Sequence, residues 1–287
     1  MKITLLQRPG ELKVEDFNIC LQTALSALKG SLTASTHLEG FTRGGWAKLE
    51  VDGPDMEIFL ELISRELGLA QTELSTVDLN ETYPATISDI TGGNLEVDLG
   101  VEAPAALKVR VKPRTLQAQL ADGRPLPVRE ILEHYCLFPQ SRTTVRITKL
   151  DRHELVAEGW LGDPQIDLFS DWVRTGLDRI QVYACSRQGV ESALTRARLE
   201  RDIIALESMT LTVHSLLCKL GTDAVGLIPK LGSLLRRREL SPSYPREYSA
   251  DVVLGDASAS TSHWAHSQLK LSKRLPEPRA RRGAGDR

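Results

Sequence analysis

Lys108, Arg110 and Lys112 alternate with Leu107, Val109 and Val111. In an extended chain, side chains two residues apart share a face and stand about 7 Å from one another. The spacing therefore predicts a row of cations along one side of a strand, able to hold consecutive phosphates electrostatically. Arg114 follows just past Pro113, and Arg146 lies in a later β-rich run, residues 144–149. These five residues are the candidate nucleic-acid contacts. The plain alternative is a solvated strand face whose cations pair with Glu96 and Asp98 next door.

Three weaker constellations exist. Lys219, Gly221, Thr222 and Lys230 surround a turn into a helix, where free backbone donors and two cations could take an anion. No Walker pattern accompanies them, and Asp223 at the same start would repel an anion, so a capped turn explains the segment as well. Asp163, Asp167 and Asp171 repeat at four-residue spacing and share a helix face, with Asp178 beyond them. A metal would need ligands from a second element, and a capped, solvated helix accounts for them. His214 and Cys218 fall in a predicted strand, without metal-site spacing. No Gly-x-Ser-x-Gly or Gly-x-Gly-x-x-Gly occurs, so no catalytic residue, cofactor or metal is expected.

The elements that must position the cationic row are β-strands. Thr86, Ile87 and Ile90 mark a first one. Gly92, Gly93 and Asn94 give the positive φ of a hairpin turn. Leu95, Val97 and Leu99 alternate with Glu96 and Asp98 in a second strand. The cationic stretch is a third, closed by Pro113. Residues 144–149 make a fourth and residues 154–158 a fifth, with a polar turn between them. Between the third and fourth lies an insert with a helix predicted over residues 128–136, after a turn at residues 121–125.

Five short strands in this order predict a small closed barrel of the OB type. The segments ATISDITGGNLEVDLG and TTVRITKLDRHELVAEG resemble the ribosomal S-one type of OB domain. That resemblance covers residues 83–159 and implies an RNA-binding module. The family presents base-stacking aromatic residues on its second and third strands, and those strands here carry none. The segments HSLLCKLGTDAVGLIPKLG and RTLQAQLADGRPLPVREILEHYCL resemble an archaeal domain-of-unknown-function family, number 2110, over residues 1–238. This second resemblance brings no activity or catalytic residue. It implies a role in information processing, near the basal transcription machinery.

Residues 1–75 predict a two-layer α/β unit of order β-α-β-α. Residues 2–7 and 46–51 are its strands. Asp16 caps its first helix, residues 31–44 are a loop, and Gly68 ends its second helix. Residues 76–160 hold the barrel. Residues 161–238 predict a ferredoxin-like unit of order β-α-β-β-α behind a helix that opens at Asp163 and Pro164. In its first strand Arg179, Gln181 and Tyr183 form the polar face. Trp160 and Trp172 are expected in the core. Residues 239–287, rich in Ser, Pro, Ala, Gly and Arg, predict a disordered tail. The fold class is thus α+β.

The net charge of −2 hides an asymmetry. Residues 236–287 hold 11 Lys or Arg against 6 Asp or Glu, leaving 25 against 32 for residues 1–235. The folded part is mildly acidic, which excludes a general nucleic-acid-coating protein and confines any such contact to a local stripe. The four cysteines, Cys20, Cys136, Cys185 and Cys218, lie far apart and read as buried thiols in a reducing compartment. No apolar run approaches a membrane span, so the chain is expected in the cytoplasm. The expectation is a non-enzymatic protein binding RNA or single-stranded nucleic acid, associated with transcription or translation machinery proteins. The alternatives are a protein-interaction scaffold and an enzyme whose site no motif reveals.

Overall fold

Alternation of apolar and polar residues builds three sheets in succession. The computed structural model describes residues 1–244 except 11, 136, 138 and 236–238. The first sheet contains β1 (Lys2–Thr4), β2 (Ser35–Phe41) and β3 (Ala47–Asp52), in the order β1-β3-β2 and antiparallel throughout. Two helices, α1 (Val14–Lys29) and α2 (Met56–Leu67), flank β2 and β3 in sequence. Phe17, Leu21 and Leu25 of α1 and Phe59 and Ile63 of α2 bury their spaced apolar side chains against Leu49 and Val51.

Two expectations fail here. The segment read as a loop holds β2, an edge strand of half-exposed residues whose pattern is broken by a bulge between Leu38 and Gly40. Asp16 is not the cap of α1. The cap position lies three residues earlier, at Lys13, and Asp16 falls in the first turn, where a carboxylate still suits the helix dipole.

A 3-10 turn, Leu74–Thr76, leads to β4 (Thr82–Thr91), followed by β5 (Asn94–Asp98) and β6 (Lys108–Val111). Next come α3 (Pro113–Leu120), α4 (Val128–His134), β7 (Arg142–Asp151) and β8 (Val156–Leu161). The five strands close on themselves in the order β4-β5-β6-β8-β7. Only β6 and β8 run parallel; the other pairs are antiparallel. The length of β4 makes closure possible. Its first half pairs β7, its second half pairs β5, and a bulge between Ile87 and Asp89 turns it from one to the other. Ile87, Leu95, Val97, Val109, Val111, Val145, Ile147 and Ala157 are buried inside. The helix α3 is an addition to the sequence reading: Pro113 both ends β6 and opens α3 at its first position.

The third sheet follows α5 (Asp163–Thr175). Its elements are β9 (Arg179–Tyr183), α6 (Arg187–Ala197), β10 (Ile203–Ser208), β11 (His214–Cys218), α7 (Ala224–Leu234) and β12 (Glu239–Ser243). All strand pairs are antiparallel, in the order β10-β11-β9-β12. The strand β12 corrects the expected tail: residues 239–243 pair with β9 along its whole length. The rest of that tail, from residue 245, lies outside the described residues.

The polar face of β9 is not solvated. Arg179 and Gln181 are both buried. Trp172 of α5 lies 4.2 Å below the Arg179 guanidinium, whose Nη1 donates to Glu207 at 2.6 Å and to Ser215 at 3.2 Å. Trp172 in turn meets Phe169, and Phe169 meets Tyr135 at the end of α4, with ring centroids 5.5 and 4.7 Å apart. An aromatic chain thus ties the helical insert of the ring to the third sheet. Leu211 ties the third sheet to the first by packing in the first sheet's core, and its N–H donates to Gln7 Oε1 at 3.3 Å. Among the described residues no helix is long and apolar enough to cross a membrane.

Candidate nucleic-acid interface

The strand register sets the cationic row on the outside of the ring. Val109 and Val111 point inward and are buried, so Lys108 and Arg110 face out, and Lys112 follows them. Arg110 stands opposite Glu96 on β5 and opposite Glu158 on β8. Its Nε lies 3.5 Å from the Glu96 carboxylate. Lys112 Nζ is 2.7 Å from Glu158, and Lys149 Nζ is 3.5 Å from the same group. These two lysines hold the Glu158 carboxyl below its ordinary pKa, chiefly through the hydrogen bond from Lys112. Lys108 makes no ion pair among the described residues.

Asp98 does not join this network. Its carboxylate accepts the Gly100 N–H at 2.8 Å, and burial raises its pKa more than that bond and nearby Arg8 lower it. Arg114 is exposed in the first turn of α3, beside the row but off the strand. Arg146 is exposed on β7, opposite Thr82 on β4 and Trp160 on β8. The outer face of β6, β7 and β8 thus displays Lys108, Arg110, Lys112, Arg146 and Lys149. Glu96, Asp151 and Glu158 oppose them.

Trp160 is where sequence reasoning went wrong. It is 52% exposed on the outer face rather than in the core. The predicted fifth strand stopped at Glu158, whereas β8 runs to Leu161. Carrying the alternation two residues further puts Trp160 on the same side as Glu158. Lys149 also faces out, because a bulge between Ile147 and Lys149 breaks the alternation that would have turned it inward with Val145 and Ile147.

The other candidate groups are accounted for locally. At the start of α7 the Val225 and Gly226 N–H groups donate to the Asp223 carboxylate at 3.0 and 3.2 Å, so the donors an anion would need are already used. Lys219 and Lys230 are exposed, Gly221 is exposed with φ at +81°, and Thr222 N donates to the Lys219 carbonyl. Asp163, Asp167 and Asp171 line the exposed side of α5, and Asp171 pairs with Arg174 at 3.0 Å. Among the described residues no group of His, Cys, Asp and Glu could hold a metal ion.

Ser208 and His214 resemble a nucleophile and its base. His214 Nε2 lies 2.9 Å from the Cys185 carbonyl, which fixes the proton there, so Nδ1 accepts the Ser208 hydroxyl at 3.0 Å. Burial, however, pushes the His214 pKa down to about 4. An imidazole that resists protonation this strongly is a poor acceptor for a serine proton. Burial likewise pushes the Cys218 thiol up to about 11, which leaves it inert.

Where the three sheets meet, a cleft of about 10 Å³ is lined by Gln7, Arg8, Trp46, Thr86, Gln140 and Thr212. Arg8 stacks on Trp46 at 4.6 Å, and both its Nε and the Thr86 hydroxyl lack protein partners. That volume suits one water molecule.

No curated protein matches the chain. One solved structure with some likeness is described as a multidomain protein with nucleic acid binding domains from Streptococcus pneumoniae. The likeness covers 69% of this chain and 48% of that one, at 10% identity and a TM-score of 0.21. This chain thus spans about half the length of that structure, and a score so low carries no argument. Residues 177–241, from just before β9 into β12, match the family model described as DUF2110 C-terminal domain.

Proposed function

We propose that the protein binds single-stranded nucleic acid, RNA by preference, through the outer face of an OB-type ring and without catalysing a reaction. The observation that carries this reading is the face of β6, β7 and β8, where Lys108, Arg110, Lys112, Arg146 and Lys149 outnumber Asp151 and Glu158, with Glu96 on adjoining β5, in a chain whose folded part is acidic. The strand order, with its single parallel pair between the third and fifth strands of the ring, supports the OB assignment. The antiparallel order β10-β11-β9-β12, with α6 and α7 as crossovers, supports a ferredoxin-like assignment for the third unit. We place the protein in the cytoplasm, beside transcription or translation machinery.

The test is a titration of fluorescently labelled RNA at low salt, with the wild-type chain and the combined Lys108→Glu, Arg110→Glu variant. Binding should weaken steeply with salt and be lost in the variant. Affinity that survives the charge reversal would exclude this face. A second reading, a scaffold that binds protein partners, is favoured by the pairing of Arg110, Lys112 and Lys149 with carboxylates of the ring itself. Partners retained from a native extract after nuclease treatment would decide for it.

A further inference from the structure

Resting on the proposed nucleic-acid reading, we infer that Trp160 is a stacking platform for one unpaired base, with Arg146 and Lys112 on either side to hold the flanking phosphates. Trp160 stands directly opposite Arg146. The parallel register of β6 and β8 ends with Arg110 beside Glu158, and Lys112, just past β6, reaches Glu158 with its Nζ at 2.7 Å, on the same face of β8 as Trp160 and two residues before it. An exposed π-face between two cations matches a nucleotide, which offers a flat base and an anion on each side of it. It is a poor match for an apolar protein surface, which would have to desolvate both charges.

The exposure of Trp160 is built in. Just before it, a Cβ on Gly159 would lie 2.6 Å from Val145 Cγ2 and 2.9 Å from the Arg146 carbonyl oxygen, so β8 is pressed against β7. Just after it, the Gln119 side-chain amide donates to the Leu161 carbonyl at 2.9 Å and accepts the Leu161 N–H at 3.1 Å. The backbone on both sides of the indole is therefore locked by packing and by paired hydrogen bonds. A platform held this way loses little freedom when a base settles on it. The indole has no ring or cation partner among the described residues, and about half of the residue's surface is exposed. The position lies on the fifth strand of the ring, which pairs with the third.

The experiment uses the full chain, a labelled oligouridine and a duplex of the same length, each titrated against wild type, Trp160→Ala and Trp160→Phe. Trp160→Ala should weaken single-strand binding by about tenfold or more with the salt slope unchanged, because stacking releases no counterions. Trp160→Phe should retain most of the affinity. Duplex binding should be unaffected by either change. Wild-type affinity in Trp160→Ala, together with loss in the Lys108→Glu, Arg110→Glu variant, would overturn the stacking role and leave the cationic face standing. An equal loss on single strand and duplex would overturn it too. No binding by the wild type at all would remove the parent reading along with it.

Discussion

Lys112 and Glu158 form the tightest ion pair on the outer face of the ring, at 2.7 Å, and Lys149 shares the same carboxylate. One carboxylate therefore restrains two of the cations that a nucleic acid would use. Glu158→Gln should free both. Removing one charge beside a partly exposed pair is worth about 0.5–1 kcal/mol. Single-strand affinity at low salt should rise about twofold to fivefold, with a steeper dependence on salt, as read by fluorescence anisotropy. Unchanged or weaker binding would show that these lysines do not touch the ligand.

Arg142 fastens the ring to the first sheet's helices. Its Nη1 and Nη2 donate to the carbonyls of Glu66 and Arg65 at 2.6 and 2.8 Å, at the end of α2 where backbone acceptors lack helical partners. A guanidinium there also complements the helix dipole. Arg142→Ala should cost about 1–3 kcal/mol, seen as a lower Tm in differential scanning calorimetry. Arg142→Lys should recover only part of the loss, since an ammonium cannot span two acceptors as a planar fork does. Full recovery by lysine would mean that charge alone matters.

Gly100 and Gly93 have nearly the same backbone angle, φ of +81° and +78°, in different surroundings. A Cβ on Gly100 would lie 2.5 Å from the Ala70 Cβ, where the ring abuts the end of α2, while a Cβ on Gly93 would meet open space. Gly93→Ala carries only the cost of the left-handed backbone, about 1 kcal/mol. Gly100→Ala adds overpacking and should cost about 2–4 kcal/mol in all. The difference between the two variants in chemical denaturation measures the close approach. Equal losses would show that Ala70 yields freely.

The ring was legible because its strands are half-buried, so Leu95, Val97, Val109 and Val111 alternate with charges in plain view. What escaped was set by tertiary contacts. Edge strand β2 has no fully buried residue, so its alternation is faint. The strand β12 contains Pro242 and sits in a stretch whose composition is that of a tail; it is held by its pairing with β9. Arg179 and Gln181 read as the polar face of a strand, and no sequence pattern reveals that Trp172 covers Arg179 or that Gln181 is buried against Ser215. For the candidate interface, the three alternating cations were visible, but their pairing with Glu158 depends on the parallel contact of β6 with β8, some fifty residues apart. Trp160 was hidden by ending a strand two residues early.

His214 gives the fold a defined acid weakness. It is buried, its Nε2 donates to the Cys185 carbonyl and its Nδ1 accepts from Ser208, so a second proton on the ring would have to reverse the bond to Ser208, whose oxygen already accepts from Arg187. Arg187 nearby also opposes protonation, and the backbone bond and Glu191 only partly offset burial and Arg187. The folded pKa is about 4, against an ordinary 6.5. Between these values the unfolded chain binds the proton more readily than the folded one, so stability falls as pH drops from 6.5 toward 4 and is unaffected by this group above 6.5. The slope in the middle of that window approaches about 1.4 kcal/mol per pH unit. Urea unfolding at pH 7, 6 and 5 should show the loss. His214→Gln should be less stable at pH 7, having lost a fitted side chain, yet lose much less than the wild type between pH 7 and 5. The same pH dependence in wild type and variant would mean that His214 is protonated in the folded protein and that its burial is relieved by motions large enough to admit water.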